Sequence, residues 1–343
     1  MIAMEIKVSV IVAMYNSAKF LEKCVSSLVN QTLSGVEVIL VNDCSPDNSL
    51  ELAQQFKKEY PELIKIVNHE VNLRAGAARN NGLSVSTGKY VWFVDADDWL
   101  DPTALEKAYY TAEKNHSDVV SVDYYEIASE SDEPSVLQEG VSDTCCGLMD
   151  KKKRNEYIVT CKGGFSKLIR REFLINNGLY YPEGILFEDN GIVPLIGAVA
   201  IRVDTIHEGL YYYRVGNANS QTNVVRSDAV MNDRMKAMDY FLEKIRELDM
   251  EKELHDGAEY FFVFIYFASI VRFYIRGNCN ISYKTFRKMK KTTHKEFPKY
   301  RKNEYIKTIF PRTTKIALIA AEIGWIPVKL LRGIFHLKQT IRR

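Results

Sequence analysis

Residues 90–99 read Tyr-Val-Trp-Phe-Val-Asp-Ala-Asp-Asp-Trp. The five apolar residues at positions 90–94 have the length and the aromatic and β-branched character of a buried strand. Asp95 and Asp97 follow two positions apart, so we expect their side chains to leave the sheet on the same side. Oxygen ligands of this kind suit Mg²⁺ or Mn²⁺, which proteins bind through one or two carboxylates and the phosphates of a substrate. The structural alternative is an acidic turn that caps a helix.

Three more short apolar runs precede this strand and, with the amphipathic segments between them, predict βαβ units and a parallel sheet. The predicted strands are residues 8–12, 36–41, 64–67 and 90–94. The first intervening helix repeats apolar residues at helical spacing over 20–28, and we expect Ser17 to cap its start. The sequence Ser45-Pro46-Asp47 is expected to open the second helix, with Pro46 at its first position. Residues 74–83 are expected to form the third.

Polar side chains follow each predicted strand, at the edge of the sheet where open α/β folds bind ligands. They are Tyr15, Asn16, Asn42, Asp43, Asn72, Arg74, Asp95, Asp97 and Asp98. Asp43 could accept hydrogen bonds from a ribose or a base edge, and Tyr15 could stack on a planar base. Arg74 and Arg79 could neutralise phosphate. Each also has an ordinary structural reading, as a loop acid, a strand-end tyrosine or a surface arginine.

The regular alternation of short apolar runs with amphipathic segments ends after residue 100. We expect a helix at 103–114, a strand at 119–122 and a mobile loop over the polar stretch 129–143. A second mixed region follows over 163–221, and residues 231–276 are expected to form helices that could serve a subunit interface. Their most apolar run, 261–267, is shorter than the 20 or so residues of a membrane span, which favours a packed helix.

Composition excludes a disordered, collagenous or disulfide-stapled chain, since hydrophobic residues make up 46% of 343 and six cysteines show no paired or metal-binding spacing. No N-terminal targeting signal is recognised, so a cytoplasmic location is expected. The net charge of +2 conceals an asymmetry. Residues 284–343 hold 17 Lys and Arg against three acids, a balance that suits an anionic membrane surface, nucleic acid or an acidic partner.

Four motifs, taken in order, resemble glycosyltransferase family 2, the nucleotide-sugar transferases of the A-type fold. They are Val-Ile-Val-Ala-Met-Tyr-Asn at 10–16, Val-Asn-Asp-Cys-Ser-Pro-Asp-Asn-Ser at 41–49, Asn-Leu-Arg-Ala-Gly-Ala-Ala-Arg-Asn at 72–80 and Asp-Ala-Asp-Asp-Trp at 95–99. The resemblance is strong over about residues 6–115 and looser to about 221. It implies a Rossmann-like, mostly parallel sheet flanked by helices, and inverting transfer of a sugar from a nucleoside diphosphate donor, usually UDP-linked, with Mn²⁺ or Mg²⁺.

The resemblance also implies roles for individual residues. Asp97 would bind the metal, and Asp95 would hold the ribose or the water shell of the metal. The base and ribose would contact Tyr15, Asn16 and Asp43, and Arg74 and Arg79 would lie near the diphosphate. The general base is assigned to Asp189 in Phe-Glu-Asp-Asn at 187–190, with Glu188 in support; the alternative is that both acids cap the following helix. Arg214 and Ser220 match the closing segment of the family, where no metal-binding histidine follows, so a third metal ligand is unassigned.

We expect a catalytic domain at 1–225, with a nucleotide-binding half (1–100) and an acceptor half (101–225), and a helical, basic region at 226–343. Apolar and basic residues alternate over 312–343, and Trp325 among them is typical of a helix on an anionic membrane surface. The acceptor would then be a saccharide or a lipid-linked saccharide on the inner face of the membrane. No nucleic-acid-binding fold is recognised. The sequence lacks the Q-x-x-R-W segment of processive synthases, which favours single additions.

Two alternatives come from other classes: another α/β enzyme, such as a nicotinamide dehydrogenase or a phosphatase, and a protein without turnover. A nicotinamide dehydrogenase would carry G-x-G-x-x-G after its first strand, where this chain has Met-Tyr-Asn-Ser at 14–17. A phosphatase would carry its D-x-D after the first strand and not after the fourth. A nucleotide-sugar-binding or scaffold protein without turnover is the remaining alternative, and metal-dependent hydrolysis of the donor would separate it from an enzyme.

Overall fold

The structure, a computed structural model, describes residues 5–129, 131–216 and 227–341. The chain divides into two compact units. The first comprises Met1–Gly184 and Ile192–Ser220, and the second comprises Ile185–Gly191 and Gln221–Arg343. The domain boundary after residue 225 stays a prediction, and the second unit also takes in 185–191 from the middle of the chain.

The first unit is built on one ten-stranded sheet. Its strands are β1 Val8–Met14, β2 Val36–Asn42, β3 Ile64–Asn68, β4 Tyr90–Asp95, β5 Trp99–Leu100, β6 Val119–Ala128, β7 Pro134–Gln138, β8 Gly147–Leu148, β9 Lys167–Arg170 and β10 Arg202–Val215. Their order is β3-β2-β1-β4-β9-β6-β10-β5, with β7 beside β6 and β8 beside β10. The strands β3, β2, β1 and β4 are parallel, whereas β9 is antiparallel to both of its neighbours. The carboxyl ends of β1, β2, β3 and β4 therefore meet at one edge.

Helices cover the sheet of the first unit. They are α1 Ala18–Val29, α2 Ser49–Glu59, α3 Arg74–Val85, α4 Ala104–Asn115, α5 Lys151–Thr160, α6 Arg171–Asn176 and, starting in the second unit, α7 Asp189–Val199. The apolar side of α1 is fully buried in the core at Leu21, Cys24 and Val25. A Cβ on Gly82 would lie 2.3 Å from Cγ2 of Ile11, so glycine is what lets α3 approach β1 this closely.

The four strands predicted before residue 100 are present with ends extended by one or two residues, and the strand predicted at 119–122 extends to residue 128, but two helix starts are wrong. Ser17 stands at the start of α1, yet its hydroxyl donates to the carbonyl of Tyr15 and caps no helical N–H. The second helix begins at Ser49 instead of at Pro46. Asp47 explains both departures, because its carboxylate accepts from Ala18 N at 2.9 Å and from Ser49 N at 3.2 Å, so one acid serves the starts of two helices.

The polar stretch 129–143 was expected to be a mobile loop, and this is wrong in part. It contains β7, which pairs with β6, and leads into a 3₁₀ turn, Asp143–Cys145. Ser135 donates to the carbonyl of Glu126 at 2.6 Å, and His207 Nε2 lies 3.0 Å from Oδ1 of Asp143. Pairing with a neighbouring strand thus orders a segment whose composition alone suggests a loop.

His207 makes the stability of this region depend on pH. The hydrogen bond to Asp143 raises the pKa of His207, and Asp123, 3.3 Å from Nδ1, adds to the rise. Because the pKa is raised in the folded protein, the stabilisation is complete below the unfolded value of about 6.5 and is lost as pH rises through the folded value. We expect His207→Gln to lower Tm by about 1–3 °C near pH 6, since half-exposed pairs contribute little. Thermal melts near pH 6 and pH 9 check this; an equal loss at both would contradict it.

The second unit is helical. Its helices are α8 Asp228–Glu247, α9 His255–Phe262, α10 Ser269–Ile275, α11 Tyr283–Glu296, α12 Glu304–Ile309, α13 Arg312–Ile323 and α14 Trp325–Ile341, with a π-helical turn, Val263–Ala268, joining α9 to α10. The joined helix His255–Ile275 has 21 residues and, by length and composition alone, could cross a membrane. In this respect the expectation that the run is too short was wrong, but 72% of its apolar window is buried inside the protein, as in a core helix.

Candidate active site

Three acids lie at the end of β4 and in the turn that follows: Asp95 and Asp97, here called the outer pair, and Asp98, here called the inner acid. Asp95 and Asp97 are partly exposed, whereas Asp98 is completely buried. A backbone hydrogen bond from Asp98 N to the carbonyl of Asp95, 3.0 Å long, closes the turn. The outer pair is therefore presented at the carboxyl edge of the sheet, and the inner acid faces the core.

Asp98 ties this turn to β10. Tyr211 Oη donates to one carboxylate oxygen at 2.6 Å, and Arg214 N donates to the other at 2.8 Å. Asp95 N in turn donates to Tyr211 Oη at 3.3 Å. Burial raises the pKa of Asp98 well above its ordinary value, and the neighbouring charges of Asp97 and Asp95 add to the rise. This anchoring role of Asp98 was not predicted from sequence, because nothing near it in the chain points to Tyr211.

The Arg214 side chain joins the same turn to the loop after β6. Its Nε donates to the carbonyl of Asp97 at 3.2 Å, its Nη1 donates to the carbonyls of Ser129 and Ser131, and its Nη2 donates to Asp132 at 3.0 Å. The residue is only 7% exposed. These bonds make Arg214 a positioning residue for the acidic turn; its contact with donor phosphates stays a prediction. Ser220, assigned to the same segment, lies outside the described residues.

Arg79 pairs with the first acid of the turn. Its Nη2 lies 2.8 Å from Oδ1 of Asp95, and its guanidinium lies 5.1 Å from the centre of the Tyr181 ring. The next residue of α3, Asn80, binds both the carbonyl and the N–H of Tyr181, at 2.8 and 2.9 Å. The structure therefore brings Arg79 to Asp95, as expected for residues at one site, and shows that α3 also supports the chain at Tyr181.

Asp43 is buried, with 2% of its surface exposed. Its carboxylate accepts from Leu73 N at 2.7 Å and from Arg74 N at 2.8 Å, which satisfies the N–H groups at the start of α3. It also lies 2.8 Å from Nδ1 of His69. The helix-start contact is the ordinary structural reading of this acid, and its contact with a base or ribose stays a prediction.

His69 was missed by the sequence analysis. Its Nε2 lies 2.8 Å from the side-chain amide nitrogen of Asn81, which donates, so Nδ1 carries the proton and donates to Asp43. The side chain is 8% exposed. The available signal was its position one residue after β3, as Asp43 comes one residue after β2.

Three residues at this edge have a left-handed backbone that non-glycine residues rarely adopt. They are Asn16 with φ 52°, Cys44 with φ 56° and Arg74 with φ 73°. Such conformations cost about 1–3 kcal/mol each and concentrate at functional sites. Tyr15, beside Asn16, is 53% exposed, so one ring face is accessible for stacking. The strain and the exposed ring mark the same loops that the sequence analysis singled out.

The first unit contains a cavity of about 520 Å³. It is lined by the first half of α1, by the loop after β6 and by Arg214. Lys23 on its wall pairs with Asp132 at 2.8 Å and lies 3.6 Å from the centre of the Trp99 ring. Apart from Arg214, none of the described residues assigned to the donor lines this cavity.

The described part of the chain holds no group of three or more His, Cys, Asp or Glu side chains arranged to bind a metal. The carboxylates expected to hold a cation are two, Asp95 and Asp97. This fits Mg²⁺ or Mn²⁺, which keep water and substrate phosphates as their other ligands, and does not fit a metal held by protein ligands alone.

The predicted base lies in the second unit. Asp189 is exposed in the first turn of α7 and accepts from Asn190 N at 2.8 Å, whereas Glu188 is 4% exposed. The preceding Phe187 has φ 62°, a strained backbone directly before the two acids.

Helix α8 holds this strained segment. Asp233 accepts from Leu186 N at 3.2 Å, and the guanidinium of Arg234 lies 5.2 Å from the centre of the Phe187 ring. Neither Asp233 nor Arg234 was identified from sequence, because α8 lies some 45 residues further along the chain. The segment is therefore positioned by a distant helix and not only by its own residues.

The curated proteins to which this chain is similar include several glycosyltransferases. The chain is 34% identical over 220 residues to the glycosyltransferase EpsJ of Bacillus subtilis. The matched residues are 63% of this chain and 63% of EpsJ. It is 29% identical over 283 residues to a cholesterol galactosyltransferase of Borreliella burgdorferi, covering 78% of this chain and 76% of that one. It is 30% identical over 215 residues to the glycosyltransferase GlyG of Streptococcus pneumoniae, covering 60% and 70%.

Solved structures share the fold. S. aureus TarS 1-349 in complex with UDP-GlcNAc matches with a TM-score of 0.59 at 19% identity, covering 88% of this chain and 93% of that one. The mannosyltransferase PcManGT from Pyrobaculum calidifontis, in complex with GDP-Man and Mn²⁺, matches with a TM-score of 0.53 at 16% identity, covering 94% and 87%. These matches confirm the predicted α/β fold with its helical C-terminal region. The family model Glycosyl transferase family 2 matches residues 9–178, and with the likeness to GlyG it shows that the chain belongs to glycosyl transferase family 2.

Proposed function

We propose that the protein transfers a sugar, with inversion, from a UDP-sugar to the hydroxyl group of a saccharide acceptor. The observation that carries this proposal is the turn after β4, where Asp95 and Asp97 are presented at the sheet edge while Asp98 anchors the turn from inside. A turn that served only to cap a helix would not need a buried acid, a buried tyrosine and an arginine to fix it.

The edge of the sheet offers groups for each part of the donor. The exposed Tyr15 ring would stack on the base, and Asn16 and Asp43 would bind the base and ribose. Arg79 and Arg74 would offset the charge of the diphosphate, as arginines do for phosphate groups. TarS, which has the same fold, was solved with UDP and with UDP-GlcNAc, and this makes UDP the first diphosphate to test.

Asp97 and Asp95 would hold the divalent cation together with the diphosphate oxygens. When bound, Mn²⁺ or Mg²⁺ would stabilise the negative charge that develops on the leaving diphosphate. Arg79 keeps the Asp95 carboxylate oriented, and Arg214 fixes the backbone at Asp97. The PcManGT structure was solved with Mn²⁺, which supports testing this ion first.

Asp189 would act as the general base. The acceptor oxygen forms a bond to the anomeric carbon, the bond from that carbon to the diphosphate oxygen breaks, and the acceptor proton passes to a carboxylate oxygen of Asp189. The exposure of Asp189 suits a group that must meet an acceptor, and the buried Glu188 suits a supporting one.

The acceptor would be a saccharide, in its more specific form a lipid-linked surface-glycan precursor at the cytoplasmic face of the membrane. The cholesterol galactosyltransferase of Borreliella burgdorferi, named for a lipid acceptor, matches 78% of this chain and supports such a class. A protein that binds the donor without turnover would show donor binding but no metal-dependent hydrolysis of the UDP-sugar.

Calorimetric titration of UDP and GDP, each with Mn²⁺ and with chelator, tests the proposal. We expect Mn²⁺-dependent binding of UDP and a loss of about tenfold or more in affinity for Asp97→Asn, since one charged ligand of the cation is removed. Glu62→Gln, at an exposed acid of the same unit, is the matched control and should bind as the unmodified protein does. If neither diphosphate bound near millimolar concentration, the proposed donor class would be wrong.

A further inference from the structure

The last two helices expose a continuous set of large apolar side chains, here called the apolar stripe. On α13 they are Ile316, Ile319 and Ile323, and on α14 they are Ile326, Leu330, Ile334 and Leu337. Their exposure runs from 45% at Ile316 to 73% at Ile323. Steps of three and four residues place the members of each helix on one face. Contiguous exposed apolar surface of this kind marks an interaction site.

The opposite face of these helices is already packed. Ala317, Ala321 and Val328 are buried, so the stripe is not the core-facing side of a loosely attached helix. Trp325 also faces inward, with its ring 4.8 Å from the Tyr274 ring and 4.9 Å from the Phe286 ring. The exposed surface of these helices is formed mainly by the isoleucines and leucines, and a contact of Trp325 with a membrane surface stays a prediction.

The exposed charges on the two helices that carry the stripe are positive. Between residues 305 and 343 the single acid is Glu322, against eight Lys and Arg. The Glu322 side chain is only 10% exposed and pairs with Arg301 at 2.7 Å and with His294 at 3.1 Å. Arg312 and Lys329, in contrast, are exposed on the stripe-bearing helices. The surface is thus apolar with a positive border.

We propose that the apolar stripe docks the protein on an anionic lipid bilayer, with α13 and α14 lying in the interface. Apolar side chains would enter the headgroup region, and the basic border would face anionic lipids. A second copy of the chain would bring two positive borders together, which opposes self-association through this face. Helices of 12 and 17 residues, separated at Gly324, are shorter than a membrane span, so the mode is interfacial. The inference is independent of the proposed transferase activity.

Co-sedimentation of the full chain with vesicles tests this surface. The vesicles are phosphatidylcholine alone, or phosphatidylcholine with one third phosphatidylglycerol. We expect binding to the anionic vesicles and a loss of at least about tenfold for Ile323→Glu with Ile326→Glu, since two apolar anchors become charged. Arg312→Gln with Lys329→Gln should weaken binding to the anionic vesicles by about fivefold per charge. Ile201→Glu, at an apolar residue of the first unit that is 70% exposed, is the matched control and should bind normally.

Two further measurements make the outcome decisive. Melting temperature and UDP affinity should be unchanged in the stripe variants, because the altered side chains are exposed and belong to a different unit from Asp95 and Asp97. Light scattering without lipid should give the same oligomeric state for the unmodified chain and for the stripe variants. The proposal is overturned if the unmodified chain ignores anionic vesicles, if the stripe variants bind as well as it does, or if Ile323→Glu converts a dimer into a monomer, which would make a second copy the occupant.

Discussion

Replacing Asp189 by Asn is expected to lower the rate of sugar transfer about a thousandfold while leaving the affinity for UDP and Mn²⁺ nearly unchanged. Asparagine has the shape of aspartate but cannot accept the acceptor proton. Its amide also suits the first turn of α7, where Asp189 lies, so the fold should persist. Single-turnover transfer with a saturating UDP-sugar, beside calorimetric titration of UDP, separates the chemical step from donor binding.

The control for this variant is Asp256→Asn, which removes an acid of the same unit whose side chain is 65% exposed. It should transfer sugar at the normal rate. If Asp189→Asn lost donor affinity to the same extent as Asp97→Asn, the roles of base and metal ligand would have been confused. Full activity of Asp189→Asn would mean that Glu188 and Asp189 only stabilise the start of α7 and that Asp189 is not the general base.

Local sequence predicts the elements of this fold well because the information is local. The apolar runs of β1 to β4 are bounded by polar residues, and observed strands exceed the predicted ones by one or two residues. The predicted helix starts were wrong where the contact that sets the start comes from a residue distant in sequence. Asp47 accepts from Ala18 N, 29 residues away, and no local pattern could show that one carboxylate serves two helices.

The site follows the same rule. The residues at strand ends, such as Tyr15, Asp43 and Asp95, were identified because topology brings strand ends together. The residues that form hydrogen bonds with the acids of the site were not identified. Tyr211 is 113 residues from Asp98, and His69 is 26 residues from Asp43, so their pairing depends on the folded register of the sheet. Sequence therefore predicted which groups lie at this edge of the sheet but not which groups hold them in place.

Asp98→Ala is expected to have the largest effect on stability. It removes both acceptors of a fully buried site and leaves the Tyr211 hydroxyl and the Arg214 N–H without them. Each buried donor that loses its acceptor costs about 1–3 kcal/mol, so Tm should fall by about 5 °C or more. Mn²⁺-dependent UDP affinity should also fall at least about tenfold, because Asp95 and Asp97 then lie on a loosened turn. Thermal melting and calorimetry measure the two effects.

Tyr211→Phe tests whether the hydrogen-bond network, and not only the volume of the Asp98 side chain, fixes the turn. It removes one hydroxyl and leaves Asp95 N and one Asp98 oxygen without that partner, so UDP affinity should fall in the same direction as in Asp98→Ala. Tyr212→Phe is the matched control, since the neighbouring ring stacks on Trp99 at 5.2 Å and lies outside the network. If both tyrosine variants bound UDP as the unmodified protein does, the acidic turn would be held by its own backbone and Asp98 would only fill space.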